Sequence, residues 1–470
     1  MKKINLLFIA FIFGIIAVKA NPVNANAALK VAENFYATIH SNGSANFTLA
    51  YTERDASGEP VYYVFNIGDA SKGFVIVTAD DAARPIIGYS DEGSFVVPTS
   101  NNNVSFWLQK RKNEVTAIRK HNIAPTSNIT NEWTSYISGY VHTTHSVASS
   151  SVLPLCRTYW NQEPYYNAYC PGGSVTGCVA TAMAQILKYW EYPGVGNGSN
   201  CYDDSRSHGY SENYGELCAT FDTSHYKWSA MQNTPLGDSN NQIAKLMYDC
   251  GVSVDMDYTP TGSGAQVIGY GPSAYNSYTA YFGYDASTIN AAMYNGNDAS
   301  WISLLESELN SGRPMQFEGT DPNEGGHSWV CDGYSTLNMM HMNWGWGGIN
   351  DGYYSVDSLN PTGFDFNEYI GIIYGIQPPP GALGVNQISD NTEINVYPNP
   401  SHGVFNFVMP NNNTAYQLRV YNVLGQEVTT SIINSGKGVV DLSSQSKGVY
   451  IYKVLSETGT PISTGRLVVE

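Results

Sequence analysis

Charge is scarce in this sequence, and positive charge is scarcest. Only 13% of the 470 residues are charged, and 23 lysines and arginines face 40 aspartates and glutamates, for a net charge of −17. A chain so short of cations has little to offer a phosphate backbone or an anionic membrane surface, so nucleic acid is excluded as a partner. Cysteine is missing from the first 155 residues and again after Cys331. Long apolar runs are missing too, apart from Leu6 to Val18, which stands behind Lys2-Lys3 and ahead of Val18-Lys19-Ala20. That run is too short for a hydrocarbon core of about 30 Å. Its order, positive, then apolar, then small, is that of a secretory signal peptide over residues 1–20, so a soluble, exported mature protein is expected.

What is present suggests several domains. The length predicts two or three, and 45 glycines with 35 tyrosines favour a loop-rich α+β structure over a helical bundle. Residues 27–37 have a helical pattern, strand-like runs follow at 46–51, 61–67, 73–78 and 86–89, and a second helical pattern covers 104–120. The polar stretch from Ala124 to Ser150 is expected to be an exposed, cleavable linker. All seven cysteines lie in the segment that follows, 151–377. Pro378-Pro379-Pro380-Gly381 opens a second linker over 378–390. Beyond it, over 391–470, six short alternating runs between Asn, Gly, Pro and Ser turns predict a small β-sandwich.

The chemistry concentrates at Cys178. From there to Trp190, apolar residues at 179, 183, 186, 187 and 190 share one helical stripe, and Pro193-Gly194 ends the pattern. Cys178 is thus expected at a helix N-terminus, where free N–H groups and the helix dipole lower a thiol pKa. Gly177 before it would let a substrate backbone approach the sulfur. An ordinary buried or disulfide-bonded cysteine opening an amphipathic helix is the alternative. In an exported protein the other six cysteines have enough partners for three disulfides.

A thiolate that attacks carbonyls needs a base, a group to orient that base, and donors for the oxyanion. His327, flanked by Gly325-Gly326, lies 149 residues after Cys178, and Asn343 follows it; this order and spacing are those of papain-type enzymes. A hairpin centred on Ser335 would set His327 opposite Asn343, whose carbonyl would then fix the imidazole tautomer. Gln162, 16 residues before Cys178, is the candidate side-chain donor to the oxyanion, beside the Cys178 N–H. Trp344 and Trp346 either wall the cleft or fill the core. The set implies no metal and no cofactor.

The motifs Thr176-Gly177-Cys178-Val179-Ala180-Thr181-Ala182, Gly251-Val252-Ser253-Val254-Asp255-Met256-Asp257-Tyr258, Gly325-Gly326-His327-Ser328 and Asn343-Trp344-Gly345-Trp346-Gly347-Gly348 together resemble the streptopain family of papain-clan cysteine peptidases, interpain-like members included. The segment with Gly73-Phe74-Val75-Ile76-Val77-Thr78-Ala79-Asp80 is similar to that family's propeptide. The resemblance implies a papain-like domain over 151–377 and a zymogen whose own propeptide, 21–150, inhibits it and is removed by autolysis. It also implies protein and peptide substrates. It carries the nucleophile to Cys178, the base to His327, the oxyanion donor to Gln162 and the orienting role to Asn343, with Gly177, Gly326, Trp344 and Trp346 at the cleft. The papain-type Cys-Gly-Ser-Cys-Trp surround is absent, since Val179 follows Cys178.

The tail resembles another family. Asn395-Val396-Tyr397-Pro398-Asn399-Pro400, Val420-Tyr421-Asn422-Val423-Leu424-Gly425-Gln426 and Lys447-Gly448-Val449-Tyr450 are similar to the sorting domain read by type IX secretion. This implies an outer-membrane secretion machinery as partner and a destination at the cell surface or in the medium. An adhesive or glycan-binding sandwich is the alternative.

Overall fold

The computed structural model describes residues 20–40, 45–68, 72–98, 103–139, 151–321, 325–356, 369–382, 395–409, 415–422, 426–433, 436–456 and 461–469. The signal segment, the 140–150 part of the expected linker and most of the 378–390 linker lie outside them. The rest divides into two units, 1–379 and 380–470.

The first unit opens with α1 (Ala25–Ile39), capped by the Asn24 side chain on the Ala27 N–H. Four antiparallel strands follow: β1 (Phe47–Arg54), β2 (Pro60–Ile67), β3 (Phe74–Thr78) and β4 (Ile86–Ser90). The helices α2 (Asn103–His121) and α3 (Ser127–Ser138) come next. The helix α3 corrects the linker expected from Ala124. Thr126 caps it, and Ile129, Trp133 and Tyr136 fall at helical spacing among serines and threonines and are buried. Three apolar residues on one stripe suffice to dock a short helix whose average composition is polar.

The chain continues with α4 (Cys178–Trp190), β5 (Ser199–Ser205), β6 (Asn213–Thr220), α5 (Asn241–Ser253), α6 (Ala274–Ala280), β7 (Asn290–Met293), α7 (Asp298–Asn310), β8 (Met315–Asp321), β9 (Gly325–Tyr334), β10 (Met340–Asn343), β11 (Gly352–Tyr354) and β12 (Ile370–Tyr374). Ten strands form one sheet in the order β1-β2-β3-β4-β11-β10-β9-β8-β12-β7. Its seam is the pairing of β4 with β11, Tyr353 opposite Tyr89 and Tyr354 opposite Gly88. The rings of Tyr89 and Tyr353 stack at 5.2 Å. The cysteine-free N-terminal segment is therefore continuous with the sheet of the segment that follows.

Within that segment, α4 is buried from Cys178 to Lys188 and packs on β9 and α5. Its fully buried Met183, Ile186 and Leu187 each contribute on the order of 1.5–3 kcal/mol by leaving water. Glu191, in the left-handed region, and Pro193 end it. In α5, Gly251 leaves room for the Tyr258 hydroxyl, 2.0 Å from where a β-carbon would stand. One disulfide, Cys201–Cys218, joins β5 to β6. Of the up to three disulfides that six cysteines allow, one forms; Cys178 is free, and Cys156, Cys170, Cys250 and Cys331 are free, buried and packed as small core hydrophobes.

The second unit has the expected layers, with one strand more than the six runs. A three-stranded sheet comprises β13 (Asn395–Tyr397), β14 (Val404–Val408) and β17 (Lys437–Asp441), and a four-stranded sheet β15 (Tyr416–Tyr421), β16 (Glu427–Ile433), β18 (Gly448–Ser456) and β19 (Pro461–Val469). Phe405, Phe407, Leu418, Val420, Val454 and Leu467 form its core.

Candidate active site

The start of α4 is fixed by its neighbours. Thr176 donates its N–H to the Gln162 carbonyl at 3.3 Å, and the Thr181 hydroxyl donates to the Gly177 carbonyl at 2.9 Å. Gly177 has a φ of 84°, and a β-carbon there would lie 2.8 Å from Met256 Sδ and 2.9 Å from the Ser263 carbonyl oxygen. Backbone conformation and close packing therefore both demand glycine. Cys178 is the first helical residue and 9% exposed, with the N–H groups at the start of α4 beside its sulfur.

His327 is half-buried on β9, opposite Gly319 of β8. Cys178, Gly326 and His327 line one cavity of about 500 Å³, together with Gln266, Met293 and Glu318. Among the described residues, no hydrogen bond joins the Cys178 sulfur to the His327 ring. Burial pushes the Cys178 thiol up, against the three N–H groups that favour the thiolate. Burial likewise pushes His327 down to about 4. The expected low thiol pKa is thus overturned here: desolvation of the sulfur exceeds what the helix N-terminus supplies. The pair rests as neutral thiol and neutral imidazole.

Comparisons with known proteins give the family. The Peptidase C10 family pattern matches residues 160–354, the Spi protease inhibitor pattern 20–115, and the secretion system C-terminal sorting domain pattern 395–470. Streptopain from Streptococcus pyogenes serotype M28 is 33% identical over 344 residues, which are 67% of this chain and 80% of that protein. The chain belongs to the C10 family of peptidases. A fragment of prointerpain A from Prevotella intermedia superposes with a TM-score of 0.58 at 28% identity, over 72% of this chain and all of that one. The thiol protease/hemagglutinin PrtT of Porphyromonas gingivalis is 30% identical over 389 residues, covering 77% of this chain and 42% of that protein.

This C10 peptidase is a cysteine endopeptidase made as a zymogen, with an inhibitor-like propeptide ahead of the enzyme. Its tail directs it through type IX secretion to the cell surface or beyond. No helix among the described residues is long and apolar enough to cross a membrane.

The helix α2 lies against His327 and its neighbours. The Phe106 ring lies 5.2 Å from the His327 ring, tilted by 49°, and sits so close over Gly319 that a β-carbon there would be 2.3 Å from Phe106 Cε1. Asn103 donates from Nδ2 to the carbonyls of Ser328, at 2.8 Å, and Trp344. Trp107 packs against Trp329, Trp344 and Tyr354. Nothing in the sequence marks Asn103 or Phe106 as inhibitory, since both read as ordinary members of an amphipathic helix.

Asn343 is placed differently from expectation. The turn closes with the Ser335 N–H on the Met339 carbonyl, Asn338 is left-handed, and the register slips between His341 and Met342, so Asn343 stands opposite Val330 instead of His327. A turn two residues later and one extra residue in the ladder account for the shift. The Asn343 side chain is committed elsewhere: Oδ1 accepts from Gln185 Nε2 and the Gly345 N–H, each at 3.0 Å, and Nδ2 donates to the Thr158 carbonyl at 2.8 Å. Thr158 Oγ1 in turn donates to Gln185 Oε1 at 2.9 Å. Asn343 thus ties α4 to the strand end beneath the site. Trp344 is 1% exposed, in the core with Trp329, and Trp346 packs half-buried on the same cluster; neither lines the cavity holding Cys178. Gln162 is half-buried, and its carbonyl bond to Thr176 lays its loop beside the start of α4.

Proposed function

We propose that Cys178 is the nucleophile and His327 the base of this endopeptidase, with Gln162 and the Cys178 N–H as oxyanion donors. The carrying observation is that Cys178, at the first position of α4, lines one cavity with Gly326 and His327 of β9. His327 takes the thiol proton, and the thiolate adds to the peptide carbonyl to give a tetrahedral oxyanion. His327 returns that proton to the amine as the C–N bond breaks, leaving a thioester. Water, deprotonated by His327, then releases the acid and restores the thiol. Asn343 supports this chemistry from below, through Gln185 and Thr158, as a positioning residue.

Latency in this reading is a matter of access and charge. Phe106 holds His327 in an apolar setting where it does not protonate near neutrality, and maturation removes that cover by cleavage between Gly139 and Val152. Val152 is already tied to Tyr334 by two backbone hydrogen bonds, so a cut before it leaves the enzyme sheet anchored. The second unit is proposed to engage the outer-membrane secretion machinery.

The experiment is to express residues 21–470 as wild type and as Cys178→Ala, and to follow chain size and casein hydrolysis under mild reductant. Conversion of the wild type alone to a shorter, caseinolytic form is expected. Processing of the Cys178→Ala chain by itself would rule out this nucleophile.

A further inference from the structure

We propose that Glu318 makes the cavity beside Cys178 and His327 a receptor for a basic substrate side chain, lysine or arginine, at one position flanking the cut. This rests on the nucleophile assignment above and adds a substrate class to it.

The pocket floor is set by three adjacent strands. Gly371 of β12 pairs with Met293 of β7 on one side and with Glu318 of β8 on the other. Directly opposite residues on neighbouring strands project from the same face, so the central glycine leaves a gap between two long side chains. The gap is tight: a β-carbon on Gly371 would stand 2.8 Å from Glu318 Oε1, 2.8 Å from Met293 Sδ and 3.0 Å from Ile268 Cδ1. The carboxylate and the thioether thus converge over a bare backbone, and the same cavity is lined by the reacting pair.

Glu318 is half-buried at the cavity wall, and among the described residues no ion pair holds it. Burial pushes its carboxyl up to about 7. A substrate cation seated in the cavity would favour the ionised form and pair with it. Met293 and Ile268 match the aliphatic stem of lysine or arginine, and the carboxylate at the end matches its charged head. An uncharged apolar side chain would fit the walls but leave Glu318 without a partner. Among the described residues the propeptide contributes none to the lining of this cavity; it meets the cavity only at His327, through Phe106.

The test uses the matured protein, with active sites counted by titration with iodoacetamide. A peptide library locates the preferred residue at each position around the cut, and kcat/KM is then measured on paired peptides with arginine or leucine at the preferred position. The wild type is expected to favour arginine, and Glu318→Gln, nearly isosteric, to lower the arginine-to-leucine ratio at least 30-fold. The ratio, and neither rate alone, is the readout, which separates lost charge recognition from a general loss of fold. A wild type without preference for a basic residue, or a ratio unchanged in Glu318→Gln, overturns the proposal while leaving the peptidase intact. A matured protein that neither reacts at Cys178 nor cleaves any peptide sinks the nucleophile assignment, and this proposal with it.

Discussion

Replacing Phe106 with alanine is expected to turn a latent precursor into a leaky one. Phe106 is 4% exposed, with its ring against His327, Gly319 and Trp329. Truncating a buried phenylalanine costs about 3–5 kcal/mol. Part of that cost falls within α2 itself, since Lys110 lies 5.2 Å over the ring, and the rest at the contact with the enzyme. Assigning about half to docking gives about 2 kcal/mol, and at about 1.4 kcal/mol per tenfold this is about a 30-fold rise in the population with His327 uncovered. The assay is the rate of Cys178 alkylation by iodoacetamide at pH 7 in the full chain, read by mass spectrometry of the Cys178 peptide, together with the onset of self-processing. Both are expected to accelerate by more than tenfold in Phe106→Ala and by much less in Phe106→Leu. Equal alkylation rates in a folded Phe106→Ala chain would refute the idea that this ring enforces latency.

Three further outcomes are expected. Gln185→Leu removes the buried link between Thr158 and Asn343 and leaves their polar groups unmatched, so denaturant unfolding should show a loss of about 1–3 kcal/mol, with kcat falling more than KM rises. His341 bonds Asp332 at 2.6 Å; burial works against its charge, but the carboxylates of Asp332, Asp351 and Glu92 hold it above its usual value. Its stabilising contribution is therefore full below about pH 6.5 and fades as pH rises through the higher folded value. Asp351, pushed up to about 7 by burial, contributes fully below about pH 3.8 and loses that contribution as pH rises to about 7, so only the end of its loss falls in the neutral range. Thermal scans of the precursor should accordingly show melting temperature falling from pH 6 to pH 8, and His341→Gln, which leaves buried carboxylates without a counter-charge, should be several kcal/mol less stable near neutrality. Replacing both Cys201 and Cys218 with serine opens a loop of sequence separation 17 and should cost about 3 kcal/mol, measured by denaturant unfolding with and without reductant.

The residues that carry chemistry by type and spacing were the legible ones. Cys178 stands at a helix start because Gly177 before it and the apolar stripe after it leave few other options, and the glycine-flanked His327 leads into a strand as its sequence suggests. The relation between His327 and Asn343 was not legible, because a one-residue bulge and a two-residue shift of the turn change register without altering the pattern of residue types. Burial was equally hidden. The helix N-terminus argues for a thiolate, yet the sulfur in the precursor sits where desolvation decides, and only the packed structure shows that. Glu318 reads as one of 40 acidic residues until Gly371 and Met293 are seen beside it. In the tail, the alternating runs gave the sandwich but missed β16, whose Thr and Ser residues carry a weak apolar signal.

Because β4 of the propeptide is hydrogen-bonded to β11 of the enzyme, maturation severs a sheet as well as uncovering a cleft. Each piece inherits a raw border of unpaired N–H and C=O groups. The enzyme's border is only three residues long, Gly352–Tyr354, and behind it the other five strands of its half, β10, β9, β8, β12 and β7, remain paired. The departing piece fares worse. Its Val61, Phe74, Ile76 and Trp107 share one core with Trp329, Trp344 and Tyr354, and separation strips that core of its other half. The expelled fragment keeps only its other core, around Val31, Phe35, Phe65 and Trp133. Activation built on such a seam has one irreversible step, the covalent cut; the two pieces then carry complementary apolar halves that favour rejoining, so lasting activity requires the fragment to be diluted or degraded.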